Sequence, residues 1–178
     1  MMSNTLLESV VKKNRARFIP FMLALYVLAF LDRSNIGFAK ETYQLDTGLS
    51  NEAYALGAGI FFVVYAFLGV PANLLMRKCG ARRWIGCTTL LWGVLSAAMA
   101  WADTEAKFLL VRTLLGAAEA GFFPGMIYLT SQWFPQQNRA SIMGLFYMGA
   151  PLALTLGSPL SGALLEMHGF MGHPGWFW

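Results

Sequence analysis

Long apolar runs separated by short polar connectors dominate this chain. Five runs approach or exceed the roughly 20 residues a helix needs to cross a hydrocarbon core: Phe18–Ala39, Ala53–Met76, Trp84–Ala102, Phe108–Thr130 and Ala140–Leu165. Backbone amides in lipid must bond within their own segment, so such runs read as helices. The short connectors force successive helices to run antiparallel. The pattern predicts an all-α integral membrane protein, one bundle across residues 1–178 with no separate soluble domain. The first run lies behind Lys12, Lys13, Arg15 and Arg17, as a secretory signal would. It is too long for a signal core, contains Asp32 and Arg33, and is followed by four more spans, so it is read as a retained helix.

The connectors alternate in charge. Lys12, Lys13, Arg15 and Arg17 precede the first run; Arg77, Lys78, Arg82 and Arg83 follow the second; Arg139 follows the fourth. The other connectors carry Lys40 and Lys107 against Glu41, Asp46, Glu52, Asp103 and Glu105. An excess of Lys and Arg marks the cytoplasmic side. The N-terminus is therefore expected inside, and Glu166 and His168 outside. At the end of the chain, Gly172–Trp178 reads as an external loop with an aromatic interface anchor. Truncation just before a sixth helix is the expected reading, and a natural aromatic tail after five helices is the alternative.

Composition narrows the function classes. The chain is 57% hydrophobic and 12% charged, against roughly 25% charged for soluble domains. Its formal net charge of +4 sits in the connectors beside apolar runs, without a nucleic-acid-binding pattern, so no nucleic acid is expected as a partner. Cys79 and Cys87 have neither metal nor redox spacing and read as small packing residues. His168 and His173 flank a Gly-rich loop near one acid, a set that could hold a metal but is read as two lone histidines. No phosphate-binding Gly loop, Gly-x-Ser-x-Gly or His-Glu-x-x-His occurs. No enzyme activity, cofactor or metal is expected.

Four ionisable residues interrupt the apolar runs: Asp32 and Arg33 in the first, Arg112 and Glu119 in the fourth. A charge at bilayer depth costs at least about 2.5 kcal/mol even on the gentler insertion scales, which makes each a functional-site candidate. Arg112 and Glu119 are seven residues apart and so share one helix face, about 10 Å apart along the axis. Asp32 and Arg112 fall at similar depths and are expected to pair. Glu119 lies among Gly116, Ala117, Ala118, Ala120 and Gly121. Desolvation there favours a protonated carboxyl, as a proton carrier requires. Two arginines near one cavity point to an anionic substrate, since guanidinium grips carboxylate well. The plainer reading is a buried ion-pair network that fixes the first and fourth helices. Gly57, Gly59, Gly69 and Pro71 in the second run, with Gly149, Pro151, Gly157, Pro159 and Gly162 in the fifth, are read as close-packing and bending positions. Tyr65 is a polar-tipped aromatic at mid-helix, suited equally to core and to cavity.

The stretch Leu31-Asp32-Arg33-Ser34-Asn35-Ile36-Gly37-Phe38-Ala39 resembles the first-helix signature of the anion:cation symporter family within the major facilitator superfamily. Gly80-Ala81-Arg82-Arg83 resembles the basic loop between helices 2 and 3 of that superfamily. The run from Leu110 to Gly125 resembles its fourth helix, and Gly157-Ser158-Pro159-Leu160-Ser161-Gly162 its fifth. The wording is most similar to bacterial inner-membrane transporters of the sugar acid L-rhamnonate. The resemblance implies helices 1–5 of an N-terminal six-helix bundle and proton-coupled uptake of an organic anion by alternating access. It implies proton-coupling roles for Asp32 and Glu119, substrate-binding roles for Arg33, Arg112 and Tyr65, and a bacterial inner-membrane location. Two departures stand out. Arg77 occupies a place where many members carry an acid, and the family's sixth helix and second half are absent. The expected partners are a small organic anion, a proton and the lipid bilayer, with self-association of a truncated chain through its polar face. The alternatives are an organic-anion or organophosphate exchanger and a non-transporting membrane fragment or interaction protein.

Overall fold

The computed structural model describes residues 4–178. Among these residues there are eight α-helices and no strand: α1 Asn4–Phe38, α2 Lys40–Thr47, α3 Asn51–Cys79, α4 Ala81–Ala98, α5 Glu105–Glu119, α6 Phe122–Trp133, α7 Gln136–Tyr147 and α8 Gly149–Leu165. The pairs α5–α6 and α7–α8 are halves of two longer helices. Five spans result that are long and apolar enough to cross a membrane: Leu6–Phe38, Asn51–Cys79, Ala81–Trp101, Glu105–Trp133 and Gln136–Leu165. The basic arm Lys12–Arg17 is helical and continuous with the first span.

Local chemistry sets the helix ends. Ser50 Oγ accepts the Ala53 amide at the start of α3, and Thr104 Oγ1 accepts the Lys107 amide at the start of α5. Each hydroxyl satisfies a donor that the first turn leaves free. Gly48 ends α2 with φ 70° and Gly80 separates α3 from α4 with φ 86°, a region in which a side chain is strained. Arg139 closes α6 from outside it, giving Nη2 to the Ser131 carbonyl at 2.7 Å and Nε to that of Phe134 at 3.0 Å.

The connectors collect at two ends. At the acidic end lie α2, the Ala102–Thr104 turn and the last residues. There the Tyr43 hydroxyl donates to the Ala102 carbonyl, and Trp176 Nε1 donates to Asp46 Oδ2 at 2.7 Å. Burial, with Asp103 nearby, pushes the Tyr43 phenol up to about 12, so it stays a neutral donor. The basic end carries Arg77, Lys78, Arg82, Arg83 and Arg139.

The fourth span is the centre of the bundle. Its apolar window is 56% buried, against 11–28% for the other four. α3 and α4 pack on α5, and α8 packs on α1. Met22, Tyr26, Phe61, Trp92, Leu115, Phe122, Met126 and Phe146 form the core between them. Phe67, Val70, Leu90 and Val94 point outward, as the lipid-facing surface of a spanning helix requires.

Small residues set the closest approaches. A Cβ on Gly116 would lie 2.5 Å from the Phe61 carbonyl oxygen, and one on Gly149 would lie 2.8 Å from the Tyr26 ring. Gly157 likewise admits Leu31 at 2.8 Å, and Gly57 admits the Phe108 ring. The packing role read for Gly59 and Gly162 is corrected: a Cβ at either meets nothing within 4 Å, because both face away from the neighbouring helices. Cys79 and Cys87 are also exposed rather than packed, since α3 and α4 turn those positions outward. In the fourth span the helix breaks at Ala120–Gly121, where Gly121 sits against the Trp84 indole. Glu119 is thereby the last residue of α5.

Candidate functional site

α1 and α5 bring all four membrane-depth charges into one cluster, arranged as a crossed set. Arg33 donates from Nε to Glu119 Oε2 at 2.9 Å, and its Nη2 forms an ion pair with the same oxygen at 2.7 Å. Asp32 accepts the Ser96 hydroxyl on α4 through Oδ1. Arg112 gives Nε to the Gly57 carbonyl of α3 at 3.2 Å. The expected pairing of Asp32 with Arg112 is replaced by that of Arg33 with Glu119. Asp32 and Arg33 are consecutive, about 100° apart around a helix, so they face different neighbours. Glu119, read from its own helix as lacking a partner, receives one from α1.

The arginines are held by aromatic rings as well as by acids. The Arg33 guanidinium carbon lies 4.8 Å from the Tyr65 ring centre and 5.5 Å from that of Phe61. Arg112 lies 4.5 Å from the same Phe61 ring. Phe61 thus separates two like charges and offers its negative π-face to both. Tyr65, which the sequence left between core and cavity, stands beside Arg33 and stacks on Phe61. Glu119 and Arg112 are 0% and 3% exposed, whereas the Arg33 side chain retains 18%. Arg33 is therefore the more reachable of the two cations.

Two carboxyl oxygens in the cluster, Asp32 Oδ2 and Glu119 Oε1, are buried without a protein partner. Both acids belong to one buried cluster, Asp32 on α1 and Glu119 on α5. A proton on either would ease the repulsion between two carboxylates held in one low-dielectric site. With both acids ionised the four residues carry two positive and two negative charges, so uptake of one proton leaves one guanidinium without a counter-charge. That imbalance can be met by an anion. Among the described residues no group of three or more metal-ligating side chains assembles.

Sequence reasoning missed Ser96 and Phe61. Ser96 is a lone hydroxyl in an apolar run, and Phe61 resembles the other phenylalanines of its helix. Neither carries a sequence signal that separates it from ordinary helix positions.

The chain matches the family model of the Major Facilitator Superfamily over residues 22–178. It is 92% identical over 177 residues to the inner membrane transport protein RhmT of Escherichia coli (strain K12), covering 99% of this chain and 41% of that protein. A putative tartrate transporter of Agrobacterium vitis is 49% identical over 178 residues, covering 100% of this chain and 40% of the relative. The chain thus spans about two fifths of the length of these curated relatives. Among solved structures, a bacterial homologue of the human lysosomal transporter Spinster, inward-facing and unoccupied, superposes with a TM-score of 0.81 at 22% identity. That match covers 87% of this chain and 33% of the other. It carries the fold: the five spans are part of a major facilitator N-terminal bundle.

Proposed function

We propose, from the premise that this chain belongs to the Major Facilitator Superfamily, that it supplies the N-terminal bundle of a proton-coupled carrier for a small organic anion of the sugar-acid type. The carrying observation is the Arg33–Glu119 pair beside the unpartnered oxygens of Asp32 and Glu119. While Glu119 is ionised it occupies Arg33. A proton taken up by the Asp32–Glu119 pair discharges Glu119, weakens its hold on Arg33 and frees a partly accessible guanidinium for a substrate carboxylate. Substrate and proton then bind together, which is the requirement for symport. Tyr65 borders Arg33 and can donate to a hydroxyl or carboxylate of the ligand. Arg112, anchored to Gly57, keeps the buried acids from repelling one another. The substrate class draws support from the relatives, one a transport protein and another a putative tartrate transporter. Tartrate and sugar acids are both hydroxylated carboxylates.

An organophosphate exchanger would need two arginines open to a dianion. Here Arg33 is bound to Glu119 and Arg112 is buried against Gly57 and Phe61, an arrangement that favours grip on one carboxylate group delivered with a proton. The opposing half of the carrier lies outside the residues matched here, and alternating access requires two bundles around one site. The test is a chimera in which this chain replaces the matching portion of the 92% identical E. coli protein. Radiolabelled L-rhamnonate should accumulate in cells expressing it and should stop accumulating when a protonophore is added. Accumulation indifferent to the proton gradient would refute proton coupling.

The same reading sets the orientation, with the basic end in the cytoplasm and the acidic end outside. Single cysteines at Arg82 and Asp103, in a background with Cys79 and Cys87 replaced by serine, are expected to react from opposite sides with an impermeant thiol reagent. Labelling of both from one side would overturn the topology.

A further inference from the structure

At the basic end the first and fifth spans part to leave a cleft of about 290 Å³, with none of the four membrane-depth charges in its walls. One wall is a single face of α1, made by Leu7, Glu8, Val11, Lys12 and Arg15; the other is the first turn of α7, through Gln137 and Asn138. We propose that this cleft binds the headgroup of an anionic phospholipid, a phosphodiester carrying a hydroxylated group as in phosphatidylglycerol. The lipid comes from the leaflet at the basic end, which the proposed orientation makes the inner one. The site is independent of proton coupling and of the transported substrate.

The depth of the cleft points to a lipid. The arm that carries Lys12 and Arg15 is helical and continuous with the first span. From the helical rise, Arg15 and Lys12 lie about 4.5 and 9 Å beyond Phe18, where the apolar run begins. The headgroup layer on one face of a bilayer is roughly 5–8 Å thick, so both cations stand in it or at its rim. Gln137 and Asn138 come just before Ala140, where the fifth apolar run begins, and reach the same layer. Phe18 packs on the Trp133 ring at 5.0 Å, and Trp133 is exposed, an aromatic pair of the kind that marks a membrane interface. Deeper in, the two spans close where Gly149 admits the Tyr26 ring, so the cleft ends blind and does not lead to the central site. Small-molecule pockets run roughly 300–1,000 Å³, so this one has room for a headgroup and not for a whole lipid.

The charges point to an anion. Lys12 and Arg15 are neighbours on one helix face, and neither forms an ion pair among the described residues. Other cations at this end are committed elsewhere: Arg139 to the Ser131 and Phe134 carbonyls, and Arg77 to the Tyr128 ring at 5.8 Å. A guanidinium and an ammonium in one cleft are suited to the oxygens of a phosphodiester. Lys12 and Arg15 set against Glu8 leave one net positive charge among the lining residues. A lipid with a single negative charge matches it, and a zwitterionic one does not. The Glu8 carboxylate repels a second phosphate but accepts from a hydroxyl, as the Gln137 and Asn138 amides also do. A trimethylammonium headgroup donates no hydrogen bond and leaves those amides without a partner. Leu7 and Val11 supply an apolar floor for the glycerol carbons.

Native mass spectrometry of the purified chain, released from detergent micelles doped equally with phosphatidylglycerol and phosphatidylcholine, reads the preference directly. Phosphatidylglycerol should be retained at least about tenfold over phosphatidylcholine, since each basic residue beside an anionic surface contributes a factor of about five. The double variant Lys12→Gln/Arg15→Gln should bring the ratio close to one. Gln137→Glu keeps both cations, changes an exposed position, and should lower the ratio severalfold by adding a second carboxylate to the cleft. It keeps the test decisive where the double variant folds poorly. Arg82→Gln/Arg83→Gln removes the same charge from the same end, outside the cleft, and should keep the parent ratio. A parent ratio near one would overturn the site, as would a Gln137→Glu ratio equal to the parent's. Equal loss in the Arg82/Arg83 control would also overturn it and leave only a diffuse basic surface. Displacement of the retained lipid by millimolar glycerophosphate or inorganic phosphate would overturn the lipid assignment in favour of a soluble anion. The readout does not involve transport, so it stands or falls apart from the symport reading.

Discussion

Replacing Glu119 by glutamine is expected to abolish uphill uptake in the chimeric carrier while leaving exchange of labelled for unlabelled substrate across the membrane. Gln keeps the size of the side chain and can still accept from Arg33, but it cannot bind and release a proton. Each proton moved down a one-unit pH gradient contributes about 1.4 kcal/mol, a tenfold accumulation. The variant should lose at least that factor and equilibrate substrate at a ratio near one. Arg33 faces no carboxylate in the variant and stays available for substrate, so counterflow persists. Uphill uptake equal to that of the parent would return Glu119 to a purely structural role as the partner of Arg33. Arg33→Ala provides the contrasting case. It leaves the buried Glu119 carboxylate without its guanidinium, and loss of one partner of a buried pair costs several kcal/mol. Both transport modes should then fall together.

Gly116→Val is expected to have the largest effect on the fold. A Cβ at Gly116 would lie 2.5 Å from the Phe61 carbonyl oxygen and 3.2 Å from the Phe61 carbonyl and α carbons. These are backbone atoms of α3, which cannot rotate aside as the end of a side chain can. The two helices must separate, and Phe61, which lies against both arginines, moves with them. Overpacking of this kind costs typically 1–3 kcal/mol and occasionally more. The purified variant should show a clearly lower melting temperature and a loss of monodisperse protein in detergent. Gly59→Val is the control, because a Cβ there meets nothing within 4 Å. A Gly116→Val protein as stable as the parent would show that α3 and α5 are not locked at this contact.

The local sequence carried the architecture. Five apolar runs of membrane length, joined by short connectors, leave a bundle of antiparallel helices as the available fold, because lipid offers no other partner for backbone amides. The signature around Asp32–Arg33 and the run from Leu110 to Gly125 carried the family, because side chains at helical spacing on two particular helices form a compound pattern that chance rarely assembles. The same two stretches singled out the four charged residues, since any charge in lipid is conspicuous.

What the sequence by itself determined was therefore which segments are helices and which residues are too costly in lipid to lack a role. Only the tertiary structure decided which acid meets which base. That choice depends on the rotation of each helix about its axis and on the depth at which neighbours interlock. These are set by contacts such as Gly116 on Phe61 and Gly157 on Leu31, between residues far apart in the chain. A rotation of α1 by about 100°, one residue's worth, would carry one of Asp32 and Arg33 into the direction the other now takes. Packing settles that rotation and sends Arg33 to Glu119 and Asp32 to Ser96. It also turns Gly59, Gly162 and both cysteines outward. Hydropathy reports how much of a helix avoids water, and it is blind to which neighbour each face meets.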